Sequence, residues 1–168
     1  MTNYGMGTAS VTKALFVYPF VYAAIIFIFG FIGDRAGRKP VIVIAGLAAL
    51  TGFACFNLTA KAGVNPYVVG LCYGIYLGGY FSGGDYMNMM AAEKAPTEIR
   101  GSVLGALGLL MMAGAVLGCI VLTIGFFIFD SVGMACMLIA ISSVVIGVGL
   151  LLAKVRDTKG ADLTKSGK

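Results

Sequence analysis

The chain has 168 residues, of which 60% are hydrophobic and 11% charged, whereas soluble domains carry about a quarter charged residues; it has too little polar surface to face water all round, so its solvent is largely lipid. Histidine and tryptophan are absent, which removes imidazole as a base or metal ligand and with it most zinc, haem and Ser-His chemistry. The net charge of +5 comes from bases scattered in the gaps between apolar runs, which argues for a topology signal and against a nucleic-acid partner.

The apolar runs are continuous rather than alternating, so a closed barrel is excluded and helices remain as the structure that satisfies its backbone in lipid. A span needs about 20 residues. Five runs reach that length, and they are predicted as helices over 14–32, 40–58, 66–92, 101–129 and 132–152. Residues 1–13 read as an extracytoplasmic segment, 14–152 as a five-helix membrane domain and 153–168 as a polar tail. Pro40 and Pro66 suit the first turn of a helix, where a missing N–H costs nothing. Pro96 ends the third helix, and Thr97 and Glu98 are placed to cap the next.

Charge orients the bundle. Arg35, Arg38, Lys39, Lys94, Arg100, Lys154, Arg156, Lys159, Lys165 and Lys168 fall on one side; Lys13 and Lys61 fall on the other. The basic side is predicted to be cytoplasmic, which puts the N-terminus outside and the tail inside a cell membrane. No secretory leader is evident at the start. Cys55, Cys72, Cys119 and Cys136 lie within apolar runs without Cys-x-x-Cys spacing, and read as packing residues rather than disulfides or metal ligands. Neither a metal nor an organic cofactor is expected.

Within the runs, glycines recur every four residues: Gly70, Gly74 and Gly78 on the third helix, Gly101 with Gly105 and Gly114 with Gly118 on the fourth. Small residues at this spacing let helix backbones approach closely, whether for static packing or for sliding. Asp85 is the acid deep within a span. It lies eight residues before Glu93, about 12 Å in from the helix end. An intramembrane carboxylate is costly and is a functional hypothesis by default. Two roles are open to it, proton coupling and binding of a polar substrate group, beside a structural role in a charge network. Asn88 follows on the same face. Tyr73, Tyr76 and Tyr80 form a stripe on the third helix, suited to solute binding or to plain packing; Tyr76 and Tyr80 join Asp85 and Asn88 as substrate- or proton-binding candidates.

Between the first two runs stands Gly30-Phe31-Ile32-Gly33-Asp34-Arg35-Ala36-Gly37-Arg38-Lys39. Its spacing, Gly-x-x-x-Asp-Arg-x-Gly-Arg-Lys, resembles the signature loop of the major facilitator superfamily of secondary transporters. The segment from Glu93 to Gly101, Glu-x-x-Pro-Thr-x-x-Arg-Gly, is similar to the matching loop of sugar-porter-like members. Asp157-Thr158-Lys159-Gly160 partly resembles the motif that follows their last helix, with Arg156 and Asp157 standing where the family has Pro and Glu.

The resemblance implies an all-α integral membrane protein holding about five transmembrane helices of a twelve-helix fold, over about residues 8–160: the eighth to the twelfth, or, since a related signature turn occurs in the family's first half, the second to the sixth, against which the tail motif argues. It implies that Gly30, Asp34, Arg35, Gly37, Arg38, Glu93 and Arg100 form a cytoplasmic gating network. The function it implies is part of a secondary active transporter that moves a small polar solute by alternating access, with protons as a coupling ion to be tested. Such a part is expected to need the superfamily's N-terminal half, from a split or truncated gene, before it transports. The alternative is a small helical membrane subunit or scaffold that packs against another membrane protein. A membrane enzyme finds no nucleophile–base pair or phosphate loop in the sequence.

Overall fold

A computed structural model describes residues 1, 5–129 and 131–152; the tail motif at 157–160 lies outside the described residues. The chain forms α1 (Thr8–Ala36), α2 (Arg38–Lys61), α3 (Pro66–Lys94), α4 (Arg100–Phe129) and α5 (Val132–Leu152), and the described residues contain no strand. Helices α1, α2 and α4 are each long and apolar enough to cross a membrane. In α3 the glycines and tyrosines dilute the aliphatic content of a helix of 29 residues.

The helix ends follow local chemistry. Asn65 caps α3 by accepting from the Tyr67 N–H at 3.1 Å, with Pro66 in the first helical position. Ala95, extended before Pro96, ends α3. Helix α1 runs past the apolar run through Asp34 and Arg35 to Ala36. The charged stretch is therefore mostly helical rather than a loop, and the reversal is made at Gly37 alone. Gly37 has φ 103° and ψ 173°, a region essentially reserved for glycine. The 29 residues of α1 span about 44 Å, longer than the hydrocarbon core, so its polar end clears the lipid.

Helices α1, α2 and α3 pack as one close group. A Cβ on Gly79 of α3 would lie 2.6 Å from the Ala45 carbonyl oxygen and 2.7 Å from the Ala49 nitrogen of α2. One on Gly52 of α2 would lie 2.6 Å from the Tyr76 nitrogen. Gly70 is held equally close to the backbone of Ala14, and Gly74 and Gly78 face Val21 and Ile25 of α1. Two clusters fill the group. Phe29, Val41, Ile42, Ala45, Tyr86 and Met90 sit at the end nearer Gly37. Phe53, Phe56, Ala60, Val69 and Cys72 sit at the other, with Cys136 and Met137 of α5 against them.

Helix α5 lies against α2 and α4, while α4 touches α3 only lightly. The most apolar window of α4 is 0% buried. Gly101, Gly105, Gly108, Gly114 and Gly118 have nothing within 4 Å of where a Cβ would stand. The same glycine spacing is thus filled on α3 and empty on α4.

Candidate functional site

The turn between α1 and α2 carries the densest polar chemistry of the described chain. Arg38, in the first turn of α2, donates from Nη1 to the Gly33 carbonyl oxygen at 3.2 Å and to Asp34 Oδ1 at 3.3 Å. From Nη2 it donates to Glu93 Oε1 at 3.1 Å, across to the last turn of α3. The Arg38 and Glu93 side chains are 17% and 16% exposed, and Asp34 is 79% exposed. The shielded bridge to Glu93 therefore carries most of the electrostatic weight, since an exposed ion pair contributes little.

Each of the three charges opposes the dipole of its own helix. Asp34 and Glu93 are acids at C-terminal ends, where the helix favours cations. Arg38 is a base at an N-terminus, where it favours anions. They are stabilised by one another rather than by the helices that bear them. Separating α2 from α3 breaks the Arg38–Glu93 bridge and leaves Arg38 with only the exposed Asp34, so the bridge clamps these two helix ends together.

The neighbouring residues set that clamp. Tyr86 of α3 donates from Oη to the Phe29 carbonyl oxygen of α1 at 2.8 Å. Its ring lies against Gly33, where a side chain would collide with it, and 6.0 Å from the Arg38 guanidinium carbon. Arg35 stacks its guanidinium 4.0 Å over the Phe31 ring. Arg100 donates from Nη2 to the Ala95 carbonyl oxygen at 3.3 Å, while Glu93 takes Arg38. The α3–α4 connector draws Arg100 back over its own turn instead. Gly30 is half-buried, and its carbonyl oxygen lies 3.4 Å from Tyr86 Oη.

The solute candidates fall in two places. Tyr76 packs its ring 4.8 Å from Phe53 and 6.1 Å from Tyr73, on the α2 side of α3. Tyr80, 6.1 Å from Tyr76, lies further round the helix and is exposed. Asp85 is exposed on α3. Asn88 is half-buried and donates from Nδ2 to Met111 Sδ of α4 at 3.8 Å. Asp85 and Asn88 thus share the strip of α3 between α1 and α4, and Tyr76 does not join them. A cavity of about 250 Å³ lies at the far end, lined by Met1, Val11, Leu15, Phe56 and Tyr73. It is remote from Asp85. Among the described residues no group of three His, Cys, Asp or Glu side chains is placed to hold a metal ion.

Two structural residues escaped sequence reasoning. Tyr86 lies off the Tyr73–Tyr76–Tyr80 stripe, and only its complement, the bare Gly33, hints at it. Pro19 lies inside α1, where it removes the hydrogen bond to the Leu15 carbonyl.

Long apolar helices, close glycine packing and an ion-pair cluster at one end define a helical membrane protein. The family model of the Major Facilitator Superfamily matches residues 1–168, and the chain belongs to that superfamily. No curated protein and no solved structure matches it. The chain is thus an all-α integral membrane protein of a family of transporters rather than enzymes.

Proposed function

We propose that this chain supplies the gate and one wall of a carrier that moves a small solute by alternating access. The observation that carries the reading is Arg38, which ties the Gly37 turn to Glu93 across the α2–α3 junction. Opening that bridge frees two helix ends at once, and closing it restores both. The basic residues clustered at this end support a cytoplasmic position in the cell membrane, with the N-terminus outside. Five helices out of a twelve-helix fold support action together with the superfamily's N-terminal half. Asp85 and Asn88 supply the polar groups of the wall, Tyr80 is a further candidate against Tyr76 and Phe81, and proton coupling through Asp85 belongs to this reading.

The test is accessibility. In a variant free of native cysteines, Lys39→Cys is expected to react with a membrane-impermeant maleimide only after the cells are permeabilised. In the same background, Arg38→Gln is expected to raise the labelling rate of Ala92→Cys severalfold as the clamp opens. Labelling of position 39 in intact cells overturns the orientation, and an unchanged rate at position 92 overturns the clamp.

A second reading, a membrane subunit that packs on another protein, is favoured by the uncovered glycines of α4. Uptake of a panel of labelled solutes by proteoliposomes separates the two. A carrier accumulates at least one solute once its partner half is present, and a scaffold accumulates none.

A further inference from the structure

The acid of α3 stands in surroundings that its role as a bare polar group does not explain. Asp85 is exposed, and its carboxylate has no hydrogen-bond or ion-pair partner among the described residues. No base lies within the spans to neutralise it; the described lysines and arginines all stand near helix ends. A carboxylate at that depth does not face hydrocarbon uncompensated. Among the described residues nothing supplies the positive charge that this carboxylate calls for.

The walls of the strip narrow the choice. Phe81 stands one turn before Asp85 and is 48% exposed. It makes an edge contact with Tyr22 of α1, with centroids 6.0 Å apart and planes at 84°. It makes another with Tyr80, at 5.6 Å and 89°. These contacts hold the Phe81 ring in place on the same face as the acid. On the other side Asn88 and the Met111 thioether of α4 close the strip. One negative group, one amide and a wall of aromatic rings and soft sulfur is poor chemistry for an anion, which Asp85 repels. It is also poor for a polyol, whose many hydroxyls need many partners. A proton needs no aromatic wall. An ammonium with an apolar body uses every feature: the carboxylate for its charge, the rings for cation–π attraction and the apolar edges for its hydrocarbon.

We infer that the face of α3 carrying Phe81, Asp85 and Asn88 binds an organic cation, a protonated or quaternary amine with an apolar body, with Asp85 as counter-ion and Phe81 as its aromatic face. This assignment rests on the carrier reading for its route to water, and it names the class of cargo.

The test is equilibrium dialysis of labelled benzyltrimethylammonium against the purified full chain in nanodiscs of neutral phosphatidylcholine, with glucose and benzoate as comparison solutes. Saturable binding of the cation is expected, with neither comparison solute matching it. Asp85→Asn is expected to weaken the cation roughly tenfold or more, and Phe81→Ala severalfold. Asp85→Glu, which keeps the charge, is expected to retain most of the affinity and so separates loss of charge from loss of fold. Absence of saturable cation binding overturns the inference. So does an Asp85→Asn variant that binds as the parent does, or tighter binding of glucose or benzoate. Uptake of a neutral or anionic solute that ignores Asp85→Asn ends the cation assignment and leaves the carrier reading standing. Cation binding that depends on Asp85 without uptake under any condition does the reverse.

Discussion

Helices α3 and α4 carry the same glycine spacing and use it in opposite ways. On α3, Gly70 and Gly79 hold the backbones of α1 and α2 so close that a single methyl group has nowhere to go. On α4 the glycines at 101, 105, 114 and 118 face open space. Spacing alone therefore reports a capacity for close approach, and the neighbours decide whether it is used. The contrast divides the molecule into a close-packed group, α1–α3, that holds the clamp, and a helix, α4, whose surface is free to meet something else.

The largest expected effect probes the close-packed group. Gly79→Ala places its methyl against α2 backbone on two sides and is expected to cost about 3 kcal/mol, read as a lower unfolding temperature in detergent micelles. An effect under about 0.5 kcal/mol would show that α2 and α3 are not in close contact. Next comes Arg38→Gln, expected to cost about 2 kcal/mol by leaving the Glu93 carboxylate shielded and unpaired. Adding Glu93→Gln to it is expected to recover part of that loss in a double-mutant cycle, and strict additivity would deny the bridge. Tyr86→Phe keeps the ring against Gly33 and loses the bond to the Phe29 carbonyl, at about 1 kcal/mol. The smallest effect belongs to α4: Gly114→Ala is expected to fall within about 0.5 kcal/mol for the chain by itself. A large loss there would mean that α4 is already covered, and would erase the contrast.

Much of the fold is legible in the sequence because lipid imposes a simple rule. Continuous apolar stretches of about 20 residues become helices, and the order of α1 to α5 follows from the five runs. The ends are less legible. Asp34 and Arg35 extend α1 beyond its apolar run, since a helix leaving the bilayer has no reason to stop where hydrophobicity stops. The Gly-Arg-Lys string points to the turn, and glycine at position 37 is required by its backbone angles. What sequence spacing does not reveal is the choice of partners across helices. Arg38 reaches Glu93 while Arg100 settles on Ala95, a difference set by how the α3–α4 connector folds. Tyr76 and Asp85 share a helix and not a face, and Phe81 becomes informative only once Tyr22 is seen beside it.

The single residue that separates α1 from α2 has a mechanical consequence. A longer linker would let one helix tilt while the other stayed still, but Gly37 is the whole joint, pinned on one side by its own N–H to the Gly33 carbonyl at 3.1 Å. With one residue between them the two helices are closely coupled, so a change in the tilt of α1 is expected to bear directly on Arg38.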